Sequence, residues 1–348
     1  MSTTRRILLT SFALAAPAIL RTGPAGAQEA TLRLHHFLPP VANVHRYFLQ
    51  PWARKVEQES GGKLKIQIFP SMQLGGAPPQ LYDQARDGVA DLIWTLFGYM
   101  PNRFPRMEAF ELPFVAHEKA AVNALAAQEY SVAHAKEELA DVHPICVWAH
   151  DGGLIHANKP VHTMEDLRGL KLRFPTRLAG EALRALGAAP IGMPVPQVPE
   201  ALSQRVLDGA VVPWEVVPSI KLQELVKNHT AIPGSPTFYS ATNILAMNKA
   251  KYESLSPELR QVLDANSGLT AAAMAAVPYD QQAQAVSDMA RKRGNQIITI
   301  TEAEKQRWVT TTQPVTDAWV TQMKGRNIDG AALLAATKAL VAKHSNAA

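Results

Sequence analysis

Short apolar strands alternate with helices along most of the chain, and this alternation limits the fold more than any other feature. Residues 32–37 have the pattern of a strand, residues 44–59 that of a helix stopped by Gly61 and Gly62, and residues 64–69 that of a second strand. Strand, helix and strand in this order form a β-α-β unit, which places parallel strands in a sheet covered by helices. The sequence therefore predicts an α/β fold.

A second pattern occurs twice and bears on where a ligand would bind. A helix over 81–86, an Asp-Gly stop and a buried strand over 89–93 lead to Trp94, and the same order within residues 201–214 ends at Trp214. One interpretation is that any α/β unit has this form, because glycine readily caps a helix. The other is two similarly built domains, with a ligand held between the carboxyl ends of their strands.

The length of 348 residues suits about two domains of roughly 150 residues each. A strand over 145–148 is followed by Gly152-Gly153 and a further strand over 154–157. A glycine pair in an extended segment indicates either a bulge or a hinge. We predict two lobes joined by crossing strands, the first comprising residues 28–151 with 243–277 and the second residues 152–242 with 278–348.

The amino terminus has the pattern of a signal peptide over residues 1–27. Arg5-Arg6 precede an apolar run over 7–20, and small residues at 25–27 form a cleavage site of the kind that signal peptidases accept. The run is too short for a membrane-spanning helix, which needs roughly 20 residues. We predict a periplasmic protein, exported by the twin-arginine or the general secretion route.

Composition and motifs exclude several function classes. Cleavage after Ala27 removes three arginines and no acid, so the formal charge falls from +5 to +2, which leaves no basic patch for nucleic acid. Cys146 is the single cysteine, so cysteine-based metal sites are excluded. No nucleophile elbow, zinc-protease motif, Walker loop or dinucleotide fingerprint occurs. We predict a protein that is not an enzyme and has no metal; a secreted hydrolase with scattered catalytic residues is the alternative from another function class.

Several motifs resemble those of the DctP-type solute-binding proteins of tripartite ATP-independent periplasmic (TRAP) transporters. They occur in order along the mature chain: FPS at 69–71 with QLG at 73–75, DLRGLKLRFP at 166–175, LGA at 186–188 with Pro194, and Asp208-Gly209. The resemblance implies a two-lobed periplasmic binding protein fold. Each lobe is then a mixed sheet flanked by helices, and crossing strands and a long bracing helix join the two lobes.

The same resemblance implies that Arg173 pairs with the carboxylate of a ligand. A planar guanidinium meets a carboxylate in a bidentate pair, and a closed cleft keeps out the water that would screen it. The segment Gly152-Gly153-Leu154 offers no second arginine where many members of the family carry one. Side chains that are polar in sialic-acid-binding relatives are apolar here, at Phe37, Leu96, Val195 and Val212.

Other candidate ligand contacts follow from the resemblance and from position in the chain. Trp214 is interpreted either as a ligand contact or as ordinary core, and its neighbour Glu215 as a group that holds a ligand hydroxyl, orients Arg173 or helps to bind a cation. Phe37 and Trp94 are candidates for aromatic walls in the other lobe. Three further candidates stand just before a crossing strand: Phe238, Tyr239 and Ser240.

The function that these expectations describe is solute capture without chemistry. We predict an extracytoplasmic receptor of a TRAP transporter that binds a small organic acid and delivers it to the membrane permease subunits. The acid is predicted to be a monocarboxylate with an apolar or aromatic portion, and a C4-type or other dicarboxylate is the alternative ligand. No cofactor is predicted, although a cation beside the ligand stays open.

Overall fold

The computed structural model describes residues 30–347, so the predicted signal peptide lies outside the described residues. The strands are β1 (Ala30–His35), β2 (Leu64–Phe69), β3 (Leu92–Leu96), β4 (Val142–Ala149), β5 (Leu154–Ala157), β6 (Lys171–Phe174), β7 (Ala189–Gly192), β8 (Gly209–Val212), β9 (Asn228–Ala231), β10 (Thr242–Asn248) and β11 (Gln296–Thr299). The helices are α1 (Gln50–Glu59), α2 (Leu81–Arg86), α3 (Ala120–His134), α4 (Arg177–Ala185), α5 (Val198–Ser203), α6 (Leu222–Leu225), α7 (Lys249–Glu253), α8 (Pro257–Ala265), α9 (Gly268–Asp280), α10 (Ala283–Lys292), α11 (Glu302–Lys324) and α12 (Gly330–Ser345).

The strands form two mixed sheets, each with helices packed on it. The first sheet has the order β2-β1-β3-β10-β4 and the second the order β11-β9-β5-β8-β6-β7. In the first sheet β10 runs antiparallel to β3 and β4, and in the second β5 runs antiparallel to β8 and β9. Each sheet with its helices is called a lobe below. The predicted two-lobed α/β class is confirmed.

The chain crosses between the two sheets three times. It leaves the first sheet after β4 and enters the second at β5, returns at β10, and crosses again before β11. The lobe boundaries at residues 151, 242 and 277 stay a prediction. One part of that division is wrong: α12, assigned with the second lobe, packs on α3 of the first lobe. Burial of Leu333 and Thr337 and the ion pair from Lys343 to Glu129 at 2.7 Å hold it there.

Helix α11 is the long brace between the lobes. Near its start the Trp308 ring packs against Phe238 of the second lobe, with 5.5 Å between ring centroids. Near its end Trp319 Nε1 donates to Glu108 Oε2 at 3.0 Å, in the turn before α3. The Thr301 hydroxyl accepts from Glu304 N at 3.1 Å and caps the first turn, as serine and threonine do at helix starts.

Local sequence explains most element ends, and it also explains one strand that begins later than predicted. Gly61 and Gly62 end α1 with φ values of 61° and 79°, a left-handed conformation that glycine adopts without a steric penalty. The strand predicted over 89–93 is wrong at its start, because Val89 is 47% exposed and β3 begins at Leu92. Ala90 N donates to Gln84 O of α2 at 3.2 Å, so residue 90 is still bonded to the helix. The residues paired with β1 start at Leu92.

Among residues 30–347, no helix combines the length and the apolar character needed to cross a bilayer. The longest helix, α11, has charged residues at both ends, including Glu302, Glu304 and Lys324. Its buried face packs within the protein, at Trp308 and Trp319.

Candidate functional site

A cavity lies between the two lobes, beyond the carboxyl ends of β3, β6 and β8. This is the position at which open α/β sheets bind ligands. Its walls are mostly apolar and aromatic, and they come from both lobes. The lining residues are Phe37, Leu38, Trp94, Leu96, Tyr99, His150, Arg173, Pro175, Val195, Val212, Pro213, Glu215, Val216, Tyr239, Ala241, Asn243 and Tyr279.

Arg173 on β6 contributes the positive charge of this cavity. Its side chain is buried, with 2% of the residue exposed. Nε donates to Met193 O at 2.8 Å, Nη1 to Val211 O at 3.2 Å and Nη2 to the Tyr99 hydroxyl at 3.4 Å. A guanidinium has five N–H donors, so one donor on each terminal nitrogen remains free for a ligand.

No carboxylate of residues 30–347 pairs with Arg173. A buried charge without a counter-ion is costly, and a guanidinium with free donors can bind a carboxylate. The structure places Arg173 in the cavity wall, and its pairing with a ligand carboxylate stays a prediction.

Tyr99 holds the guanidinium from the opposite lobe. Its hydroxyl accepts from Arg173 Nη2 and also from Val195 N at 3.1 Å. Burial raises the pKa of Tyr99, so the hydroxyl stays neutral. Sequence reasoning missed this residue. The signal that could have found it is its place in the turn directly after β3, at the strand end where the cleft was expected.

Phe37 and Trp94 form an aromatic wall in the first lobe, where both were predicted. Their rings are 4.8 Å apart between centroids, and Phe37 lies edge-on to Tyr99 at 5.5 Å. Trp94 Nε1 donates to Asn243 Oδ1 at 3.0 Å, which satisfies the indole and fixes its plane. Leu96, Val195 and Val212 also line the cavity, so the pocket is as apolar as their sequence positions indicated.

Trp214 is not among the residues that line the cavity, so of its two interpretations the geometry favours ordinary core. Its ring packs against His156 at 5.3 Å and His229 at 5.1 Å between centroids. His156 Nε2 donates to Val212 O at 3.1 Å, so its Nδ1 accepts from His229 Nδ1 at 2.6 Å. Burial lowers the pKa of both histidines and keeps them neutral. The indole covers this pair and leaves the cavity surface to Val212 and Glu215.

Glu215 lines the cavity and connects the two lobes. Its Oε1 accepts from Val44 N at 3.1 Å, and its carbonyl oxygen accepts from Asn43 Nδ2 at 3.3 Å. Burial raises the pKa of Glu215 to about 7. Of the three roles left open for it, orienting Arg173 has no support, because no bond joins the two side chains in the described residues. No group of three metal-ligating side chains occurs within residues 30–347 either.

Phe238, Tyr239 and Ser240 are consecutive residues, but only Tyr239 reaches the cavity. Neighbours in an extended segment point to opposite sides. Phe238 packs on Trp308, and the Ser240 hydroxyl donates to His150 O at 2.7 Å. The assignment of Phe238 and Ser240 as ligand contacts is therefore corrected to a supporting position behind the wall.

His150 is a lining residue that sequence reasoning missed. Its Nδ1 lies 2.6 Å from Asp151 O, and since a carbonyl can only accept, Nδ1 carries the proton. Burial lowers the pKa of His150 to about 4. The imidazole is therefore neutral near pH 7 and adds no second positive charge. Tyr279 and Asn243 were missed as well, because they reach the cavity from α9 and β10, far along the chain.

Comparison with known proteins agrees with this architecture. The chain is 42% identical to a TRAP solute-binding protein from Rhodoferax ferrireducens, solved with copurified benzoate, over 91% of this chain and 99% of the other, with a TM-score of 0.89. It is 43% identical to a marine metagenome TRAP solute-binding protein specific for aromatic acids, solved with 3-hydroxybenzoate, at the same coverage and TM-score. A Bordetella bronchiseptica protein solved with bound mandelate is 28% identical over 90% and 99% of the two chains, with a TM-score of 0.83.

The family model of DctP, the bacterial extracellular solute-binding proteins of family 7, matches residues 34–322. That range spans both sheets and every lining residue named above. The family and the fold are those of receptors that bind solutes for TRAP transporters and not those of enzymes, which removes the hydrolase alternative. The chain belongs to the DctP family of TRAP solute-binding proteins and is a receptor for a small organic acid.

Proposed function

We propose that this protein captures an aromatic monocarboxylate outside the cytoplasm and delivers it to the membrane permease of a TRAP transporter. The observation that carries the proposal is Arg173: a buried guanidinium with two free donors and no counter-ion among residues 30–347, in the wall of a cavity with aromatic sides. The carboxylate pairs with Arg173, and the aromatic ring packs against Phe37 and Trp94. The aromatic acids bound by the similar proteins described above support this ligand class.

The charges of the cavity favour one carboxylate over two. Arg173 is the cation among the lining residues, His150 is neutral at pH 7, and Glu215 is an acid whose pKa burial raises to about 7. A second ligand carboxylate would be buried without a cationic partner and near another carboxyl group. Such a charge is strongly disfavoured in a dry cavity, so a dicarboxylate is the weaker candidate.

Delivery depends on closure of the two lobes over the acid. Bonds already cross the cleft, from Arg173 to Tyr99 and from Val44 to Glu215, and a ligand that contacts both lobes adds to them. Ligands shift hinge-type proteins toward the state that they bind better. The closed surface is then the one that the permease recognises. Periplasmic export by a signal peptide over residues 1–27 belongs to this proposal.

Isothermal titration calorimetry on residues 28–348 tests the ligand class. We expect one binding site for benzoate and for 3-hydroxybenzoate, and much weaker binding of succinate and fumarate. In a thermal-shift assay, an acid at about 100 times its Kd adds roughly 2.7 kcal/mol of stability. Tight binding of the C4 acids with no response to benzoate would contradict the proposal.

Arg173→Lys tests the role assigned to the guanidinium. Lysine keeps the charge but loses the planar fork of donors, so we expect a clear loss of benzoate affinity. Lys171→Gln is the matched control, because Lys171 lies on the same strand and its Nζ donates to Arg205 O at 2.7 Å, away from the cavity. Unchanged affinity in Arg173→Lys would show that the carboxylate binds elsewhere.

A further inference from the structure

The ring of Tyr239, which lines the cavity, lies directly against the backbone of Gly153. A Cβ atom on residue 153 would lie 1.9 Å from Tyr239 Cε1 and 2.3 Å from its Cζ, a separation that no packing tolerates. Gly153 is not among the glycines with positive φ, so its backbone conformation is open to other residues. Residue 153 is therefore a glycine because the Tyr239 ring lies where its side chain would be. Gly153 N donates to Tyr239 O at 3.1 Å and fixes the pairing of the two segments.

The Tyr239 hydroxyl has no partner in the described structure. Tyr239 is 1% exposed, it lines the cavity, and its hydroxyl oxygen is one of the few buried polar side-chain atoms of residues 30–347 without a hydrogen bond. Burial raises the pKa of Tyr239, so the group is a neutral donor throughout the physiological range. A buried hydroxyl that lacks a hydrogen-bond partner lowers the stability of the folded protein. A hydrogen bond to a ligand oxygen would remove this cost.

Arg173 and Tyr239 both line the cavity. Arg173 keeps one free donor on each terminal nitrogen, and a carboxylate has about four acceptor positions. One carboxylate can therefore accept both guanidinium donors and still accept the tyrosine O–H.

We propose that Tyr239 is a ligand-binding residue: its ring takes the space that Gly153 leaves open, and its hydroxyl donates to the same ligand carboxylate that Arg173 binds. The carboxylate is then held by one cation and one neutral donor. Its charge is balanced by Arg173 alone, so the site selects acids with a single negative charge. This inference rests on the proposed function, because it assigns a role within the same cavity.

Two other partners for the hydroxyl are physically reasonable. Asp151 Oδ1 is also buried without a partner, and a water bound between the two groups would satisfy both. A hydroxyl group on the ligand ring would be the other acceptor. The three arrangements differ in which ligands lose affinity when the tyrosine hydroxyl is removed.

Tyr239→Phe removes the hydroxyl and keeps the ring that fills the space over Gly153. Calorimetry of this variant with benzoate and with 3-hydroxybenzoate separates the arrangements, because benzoate offers only its carboxylate. We expect the affinity for both acids to fall by a similar factor, about 10- to 100-fold, as a hydrogen bond to a charged group would contribute. A loss confined to 3-hydroxybenzoate, or no loss for either acid, would overturn the proposal.

Tyr82→Phe is the matched control. Tyr82 is fully buried and its hydroxyl also lacks a partner in the described structure, but the residue lies outside the cavity. We expect unchanged affinity for both acids. The wild-type titration distinguishes failure of this inference from failure of the proposed function. If the wild-type protein binds neither acid, the proposed ligand class is wrong. If the wild-type protein binds and Tyr239→Phe binds equally well, only the role of Tyr239 is contradicted.

Discussion

Two arginines four residues apart, Arg173 and Arg177, show how differently one fold uses the same side chain. Arg177 begins α4 and contacts Glu108 through Nε at 3.2 Å and Nη2 at 2.6 Å, while its Nη1 contacts Glu181 at 2.7 Å. Arg173 lies one residue before the end of β6 and contacts carbonyl oxygens and a hydroxyl, with no carboxylate partner among residues 30–347. One guanidinium is paired with carboxylates of the protein itself, and the other, on the proposed function, is paired by the ligand.

The difference shows which buried charges are structural. Glu108 and Arg177 belong to opposite lobes, and Trp319 Nε1 of the bracing helix also donates to Glu108, so this pair holds the lobes and the brace together. Around Arg173 the partners are neutral acceptors that position the guanidinium without cancelling its charge. We expect a buried cation of that kind to be paired by an anion that binds beside it. The following predictions test this contrast, from the largest expected effect to the smallest.

Arg173→Ala is expected to abolish measurable capture of benzoate, with a loss of at least about 100-fold in affinity, because the buried ion pair between ligand and protein is lost. The free energy of unfolding of the ligand-free protein should change far less than the binding free energy, since no ion pair within the described residues is broken. Calorimetry and urea unfolding measure the two quantities. Retained affinity would contradict the role of Arg173.

Arg177→Ala is expected to show the opposite result. The variant leaves Glu108 buried with only the Trp319 donor, so the free energy of unfolding should fall by about 2 kcal/mol. This is less than the full cost of breaking a buried ion pair, because Arg177 is partly exposed. Affinity for benzoate should change much less than in Arg173→Ala. Urea unfolding of both variants provides the comparison, and equal stability of Arg177→Ala and wild type would remove the structural role.

Glu215→Gln is expected to change how stability depends on pH. The pKa of Glu215 is raised to about 7 in the folded state. The stability that the protonated Glu215 carboxyl contributes is therefore fully present below the unfolded pKa near 4.5 and is lost as the pH rises to about 7. The stability of wild type relative to Glu215→Gln should therefore fall by roughly 3 kcal/mol across this interval. Urea unfolding at pH 4.5, 6 and 7.5 measures it, and parallel curves for the two proteins would contradict the shift.

Trp94→Phe and Trp214→Phe should distinguish a residue that lines the cavity from one that packs behind the lining residues. Trp94 lines the cavity and Trp214 does not, so we expect about a 5- to 10-fold loss of benzoate affinity for Trp94→Phe, of the order of an aromatic contact. Trp214→Phe should stay within about threefold, because the smaller ring still covers His156 and His229. Calorimetry on both variants decides the point, and a larger loss for Trp214→Phe would return that residue to the site.

The sequence predicted elements well wherever local pattern decides them. The strands Leu64–Phe69 and Leu154–Ala157 and the helix Leu81–Arg86 have the predicted bounds, because glycines and the alternation of apolar residues set both ends. Arg173, Phe37 and Trp94 lie in the cavity wall, as predicted from their positions in β6, just after β1 and in β3. Their meeting there also depends on the strand order, which the sequence analysis did not predict.

The remainder of the site depends on contacts between distant segments, which no local pattern records. Tyr99, His150 and Tyr279 come from a turn, a crossing segment and a helix that meet only after both lobes are in place. Trp214 and Glu215 are neighbours, and sequence alone does not say which of the two faces the cavity. Trp214 packs on the histidine pair of β5 and β9, His156 and His229, and this contact turns its ring away from the cavity.

The cavity wall begins at Phe37, directly after the first strand, and ends at Tyr279, close to the end of α9. The first lobe contributes its part of the site from two separate stretches of chain, residues 37–150 and residues 243–279. A polypeptide that emerges from its amino terminus first therefore acquires affinity for its acid late, after residue 279 has joined the fold. A fragment truncated before α9 would keep Arg173 and its strand and yet offer the acid an open, hydrated surface in place of a cavity.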